Sequence, residues 1–271
     1  MTAVSAPYTL LRRVGELPQS PAPPIERRAG LLREDVAGII AGRHFTLAFQ
    51  PVVELSDRHV VTHEALLRLH PPAGLATLPT GAFVEVAAGW GLATALDEAV
   101  LDAALAAWTQ SGATPVAVNI AGRSLQDMDF IARALSRIGG DGAALLVEVT
   151  AAGAIDDMPA LAAGAAALQA ANVRVCLDDF GEPATLECMR AVRFDQVKIA
   201  GSAVRAAAAG ERGRRLVAAL VALAAAAGAE TVAKLIETLP QAWLMQELGV
   251  RHGQGWLFGP PGKLAGRCFV S

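Results

Sequence analysis

Residues 144–180 read ALLVEVTAAGAIDDMPALAAGAAALQAANVRVCLDDF. An apolar run, Ala144–Thr150, leads into an alanine-rich helical stretch, Met158–Ala171. A second apolar run, Val173–Leu177, then ends in Asp178-Asp179. Strand, helix and strand at this spacing form a crossover unit, which joins neighbouring parallel strands. Each strand also carries an acidic residue toward its C-terminal end, Glu148 in the first and Asp178 in the second.

The same alternation runs outward in both directions. Upstream, Val116–Ile120 reads as a strand, with Ser124 as the cap of the next helix. Leu96, Val100, Leu101, Leu105 and Trp108 mark a helix face. Phe45–Leu55 and Val60–Leu69, separated by Ser56-Asp57-Arg58-His59, read as an antiparallel hairpin. Leu31–Ala41 reads as a lead-in helix. Downstream, strands are expected at Gln196–Ile199, Glu230–Ala233 and Gly255–Phe258, with helices at Arg214–Ala227 and Leu239–Leu248. This rhythm predicts an α/β fold with a mostly parallel sheet over 31–265, and the number of strands favours a closed barrel over an open sheet. Residues 1–30, with Pro7, Pro18, Pro21, Pro23 and Pro24, read as a partly disordered extension, and 266–271 as a short tail. No Gly-rich dinucleotide fingerprint follows the first strand.

Bulk properties exclude several classes. A net charge of −3 argues against a nucleic-acid partner. Cys176, Cys188 and Cys268 are odd in number and lack C-x-x-C spacing, so no disulfide framework or structural zinc is expected. The apolar stretch from Leu216 to Ala227 is too short to span a bilayer, and a reduced cytoplasmic setting is expected.

Polar residues recur at strand C-terminal ends: Glu64, Asn119, Glu148, Asp178 with Asp179, Lys198, Lys234 and Gln254. In a closed barrel those ends share one rim, where active sites are built. Glu64, Asn119, Glu148 and Asp178 are hard oxygen ligands suited to Mg²⁺ or Mn²⁺, and Asp179 has the chemistry to bridge a second ion. Arg68 follows Glu64 by four residues and so shares its strand face, where a guanidinium suits a phosphate.

These segments resemble the EAL domains, the cyclic di-GMP phosphodiesterases. The likeness rests on Glu64-Ala65-Leu66-Leu67-Arg68, Phe49-Gln50-Pro51, Val118-Asn119-Ile120 and Glu148-Val149-Thr150, with Asp178-Asp179-Phe180-Gly181, Val197-Lys198-Ile199 and Gln254-Gly255-Trp256-Leu257-Phe258 completing the ordered set. It implies a modified (β/α)8 TIM-like barrel whose first strand is antiparallel, with the dinucleotide across the C-terminal rim. It also implies ligand contacts from Gln50, Leu66, Arg68, Asn119, Asp178, Lys198, Lys234, Glu237, Gln254 and Pro260. The metal set it implies is Glu64, Asn119, Glu148, Asp178 and Asp179.

The departures from the family pattern carry the functional expectation. Lys234 stands where active members have the glutamate proposed as general base, and a protonated amine has no lone pair for the attacking water's proton. Ala151 and Ala200 replace two further carboxylates, and the loop from Glu182 to Leu186 lacks the family's Thr-Gly-Tyr-Ser-Ser pattern. The rim is thus more positive than that of active relatives, which disfavours divalent cations and favours direct phosphate binding. Lys234 either replaces a metal ion by pairing with Glu64 or Asp178, or folds out to solvent.

The expectation is a cyclic di-GMP receptor without hydrolysis, acting on an unidentified protein partner. It requires no cofactor, and Mg²⁺ or Mn²⁺ is expected to bind weakly. A ligand-free scaffold and a weak phosphodiesterase remain as alternatives, and a homodimer is left open. Simpler roles are expected elsewhere. Lys198 reads as the buried partner of an aspartate, His63 as facing away from the site and His252 as loop surface. Trp90 and Trp256 read as core or pocket wall, and the arginines between Arg205 and Arg215 as a solvated helix start.

Overall fold

The computed structural model describes residues 31–75, 78–111, 114–150 and 155–264. The expected extension, the tail beyond 264 and Ala151 lie outside the described residues. Eight strands close into a barrel in sequence order. They are β1 (Phe45–Glu54), β2 (Val60–Leu69), β3 (Val116–Ala121), β4 (Leu145–Thr150), β5 (Arg174–Phe180), β6 (Gln196–Ile199), β7 (Glu230–Ala233) and β8 (His252–Gln254). β1 is antiparallel to both its neighbours, β2 and β8. The remaining pairs are parallel.

The helices are α1 (Arg33–Ala41), α2 (Thr80–Gly89), α3 (Ala93–Ser111), α4 (Gly122–Leu125), α5 (Met128–Ile138), α6 (Met158–Ala170), α7 (Pro183–Ala191), α8 (Gly201–Ala209), α9 (Glu211–Ala226) and α10 (Leu239–Glu247). None among the described residues is long and apolar enough to cross a membrane. The main core lies between strands and outer helices, where Val118, Val147, Val175 and Val197 meet Phe130, Ile131, Leu161 and Val217. A second cluster packs Val36, Ile39, Phe83, Val86 and Leu96 of α1, α2 and α3 together.

Several expectations are corrected. The last strand is His252–Gln254, not Gly255–Phe258: residues 252–254 pair with β1, and the chain then turns with Phe258 N donating to Gly255 O at 3.1 Å. Gly255 must lack a side chain there, because a Cβ would sit 2.0 Å from the Ile236 carbonyl oxygen. His252 is consequently buried, not loop surface; it faces Glu54 at 3.2 Å and Gln196 at 3.2 Å on the barrel floor. Trp256 is 67% exposed, on the turn rather than in the core. Ser124 caps neither helix after β3: α4 starts at Gly122 without a side-chain cap, and α5 is capped by Asp127, whose Oδ1 accepts from Asp129 N at 2.9 Å and Phe130 N at 3.3 Å. Ser124 is fully buried within α4.

Candidate functional site

Strand periodicity builds the site. Ala117, Leu146 and Cys176 form a small apolar layer inside the barrel. Two residues further along the same strands, on the same face, stand Asn119, Glu148 and Asp178. A step of two on β6 and β8 likewise raises Lys198 and Gln254 from Gln196 and His252, and Lys234 follows Val232 just past the end of β7. On β2 the same step runs from Thr62 through Glu64 and Leu66 to Arg68. The apolar layer seals the barrel beneath a polar one.

Lys198 is the hub of the buried half. It is 1% exposed and donates to Glu64 Oε2 at 2.7 Å and Glu148 Oε2 at 2.8 Å. Its partners are glutamates, which corrects the expected aspartate; Asp178 is held by another lysine. Asn119 Nδ2 donates to Glu64 Oε1 at 2.9 Å and Gln254 Nε2 to Glu64 Oε2 at 2.5 Å. Gln254 Nε2 also reaches Gln50 Oε1 at 3.2 Å, and Gln50 Nε2 donates to the Gly259 carbonyl at 3.2 Å. Burial opposes ionisation of Glu64, but Lys198 and these donors hold its carboxyl down at about 2. Glu148, fully buried beside the Glu64 charge, is pushed up to about 8. Burial opposes the charge on Lys198, yet Glu148 and Glu64 raise its pKa well above the usual ammonium value.

Lys234 organises the outer half. Its Nζ donates to Asp178 Oδ1 at 2.7 Å and to Asp179 Oδ1 at 2.6 Å. Of the two arrangements open from sequence, the structure shows an ion pair, and it adds Asp179 to Asp178. Burial works against the ammonium, but Asp178 and Asp179 raise its pKa. The backbone is unusual on both sides of the pair, with φ of +52° at Asp179 and +62° at Leu235. Such values are uncommon outside glycine and cluster at functional sites.

The other expected contacts sit at the rim without joining these networks. Leu66 is half-buried, while Arg68, Glu237 and Pro260 are exposed. Arg68 Nη1 donates to the Leu67 carbonyl at 2.9 Å. Ala200 is buried where a further carboxylate was expected from the family pattern. The segment read as an altered loop from Glu182 forms the start of α7, with Pro183 at its first position.

By donor type Glu64, Asn119, Glu148, Asp178 and Asp179 suit Mg²⁺ or Mn²⁺. As arranged they do not fit a divalent ion. Each of the four carboxyl groups accepts from a lysine ammonium within 2.8 Å, and the Asn119 amide nitrogen faces Glu64.

One contributor escaped sequence reading. Asp97 of α3 is 7% exposed and accepts from Ala121 N at 3.0 Å, tying α3 to the end of β3 above Asn119. The signal was an acid on the buried face that Leu96, Val100, Leu101 and Ala104 form on this helix. Burial pushes its carboxyl up to about 7, although Ser124 and the Ala121 amide pull the other way. A carboxyl raised in the folded state contributes stability that is complete below its unfolded value, near 4, and lost as pH rises through about 7. Asp97→Asn is therefore expected to flatten the decline in unfolding free energy between pH 4 and 7, measured by urea titration. An unchanged slope would mean that Asp97 is not the titrating group.

The EAL domain family model matches residues 32–261. The bifunctional diguanylate cyclase/cyclic di-GMP phosphodiesterase MucR of Pseudomonas aeruginosa is 30% identical over 85% of this chain and 35% of its own length. This chain thus spans about a third of that relative. An uncharacterised protein of Mycobacterium tuberculosis H37Rv is 28% identical over 79% of this chain and 74% of its own. Among solved structures, the MucR phosphodiesterase in complex with cyclic di-GMP superposes with a TM-score of 0.73 at 29% identity, covering 84% of this chain and 96% of the other. The FimX EAL domain of Pseudomonas aeruginosa shares the fold, with a TM-score of 0.75 at 20% identity over 85% of this chain and 96% of the other.

Proposed function

Because the chain belongs to the EAL domain family, we propose that it binds cyclic di-GMP at the barrel rim without hydrolysing it and acts as a receptor that controls a protein partner. The observation that carries this reading is the Lys234 ammonium, held at 2.7 and 2.6 Å from Asp178 and Asp179. A cation stands at the position of the family's base and across carboxylates that would otherwise be metal ligands. It cannot accept a proton from water. Divalent metal binds weakly here, because an incoming ion has to displace an ammonium from each acid it approaches.

Cyclic di-GMP is supported as ligand by the MucR complex and by Gln50, Leu66, Arg68, Asn119 and Gln254. For the partner, the proposed contact is exposed Leu239 and Trp243, four residues apart on one face of α10. A ligand-free interaction scaffold is the second reading. It is favoured by the return of the Arg68 guanidinium to the carbonyl of Leu67.

Calorimetric titration with cyclic di-GMP separates these readings. Binding is expected and should persist in EDTA. Arg68→Ala should weaken it by about ten- to a hundredfold, the size of one charge-assisted hydrogen bond of about 1.5–3 kcal/mol. No binding by the wild type at any reachable concentration would leave the scaffold reading in front.

A further inference from the structure

The structure assigns Asp179 the part of a built-in competitor: its carboxylate occupies the Lys234 ammonium that an incoming phosphodiester needs, so the acid limits the affinity of its own site. This deepens the receptor reading and rests on it. The charge balance is the first reason. Around the rim, four carboxyl groups (Glu64, Glu148, Asp178, Asp179) share two ammoniums, Lys198 and Lys234. The positive character expected from Lys234 alone is thus already consumed by its neighbours. A phosphodiester brings one charge per phosphate and competes with the aspartates for the same N–H groups.

The two aspartates are not equivalent. The Asp178 side chain is 15% exposed, and Asp178 sits where β5 is paired in register with Thr150 of β4. The Asp179 side chain is 46% exposed. Asp179 lies where the β5–β6 pairing breaks register, at φ +52° and two residues before Gly181 at φ +107°. Its carboxylate is already partly hydrated, so solvent screens its pairing with Lys234, whereas the shielded Asp178 gives up a stronger pairing if it leaves. Asp179 is therefore the partner that yields when the ligand takes Lys234. A family metal ligand has become, in this chain, an internal anion that the ligand displaces.

Asp179→Asn tests this cleanly. Asparagine tolerates positive φ as well as aspartate does, so the backbone is preserved while the charge is removed. Titration with cyclic di-GMP in EDTA is expected to show roughly two- to fivefold tighter binding, the scale of one partly exposed ion pair. Lys234→Met is expected to weaken binding by about tenfold or more. In the Lys234→Met background, Asp179→Asn should no longer tighten binding, because no cation is left to release. Near-identical far-ultraviolet circular dichroism and melting temperatures establish that each variant is folded, and Asp179→Ser serves as a second neutral variant.

The outcomes separate. Wild-type binding that Asp179→Asn and Asp179→Ser leave unchanged overturns the competitor role alone. Equal tightening with and without Lys234 also overturns it, because the effect is then general repulsion. Absence of binding by the wild type and both neutral variants sinks the receptor reading on which it stands.

Discussion

Purified protein incubated with cyclic di-GMP and excess Mg²⁺ or Mn²⁺ is expected to leave the dinucleotide intact, with any linear product close to the no-enzyme background. Loss of a general base alone costs about 10²–10⁴ in rate. Here the base position holds an ammonium that is itself occupied by Asp178 and Asp179. The same ammonium covers Asp178 and Asp179, which the proposed reading takes as former metal ligands, so base and metal site are lost together. Lys234→Glu should consequently restore little. It returns a carboxylate to the base position, but the segment from Glu182 still departs from the family's loop pattern, and Ala200 still lacks an acid. Chromatographic product analysis of wild type and Lys234→Glu, at saturating nucleotide, reads both. Turnover by the wild type at the rate of an ordinary phosphodiesterase, near 10 s⁻¹ on the general enzyme scale, would end the receptor reading.

The second large effect is on stability. Lys198→Met should destabilise the fold by about 3–5 kcal/mol, the cost of removing one partner from a buried ion pair. Methionine fills much of the lysine volume, so the loss is electrostatic rather than a cavity. Glu64 and Glu148 would face each other at 8% and 1% exposure without a cation between them. Glu64, held ionised in the wild type, would respond by protonating, which gives the variant a signature beyond lower stability. The Glu64 carboxyl would then be raised in the folded state, as Glu148 already is in the wild type, so the variant's stability should fall more steeply than the wild type's as pH rises from about 4 toward neutrality. In the wild type, Glu64 has the opposite sign: held at about 2, it contributes stability above its unfolded value near 4.5 that is lost as pH falls toward 2. Urea unfolding of both proteins across pH 2–8 checks the magnitude and the slope. A Lys198→Met variant within about 1 kcal/mol of wild type would show that water, not Lys198, compensates the acids.

Much of the architecture was legible in one dimension. Strand and helix periods differ, 2.0 against 3.6, so the crossover unit at 144–180 declares itself from spacing alone. The recurrence of a polar residue after an apolar one two positions earlier, as in Leu146 to Glu148 and Cys176 to Asp178, already encodes a rim above a core layer. The exceptions follow from closure of the barrel. β8 ends at Gln254 because pairing with β1 covers 252–254, and Gly255 passes against the Ile236 backbone. His252 is buried because the floor beneath β6 and β1 closes over it. Neither neighbour is close in sequence, so no local pattern announces them.

The sequence by itself determined the strand order, the identity of the rim residues and the substitution of an amine at position 234. These depend on residue type and on periodicity along one chain. Only the tertiary structure decided how the charges are shared: Lys198 to Glu64 and Glu148, Lys234 to Asp178 and Asp179. Partners 50 to 134 residues apart meet only after eight strands close, and a lysine's long side chain lets it choose among several acids within reach. Coulomb energy falls with distance, and distance is a property of the fold rather than of the sequence.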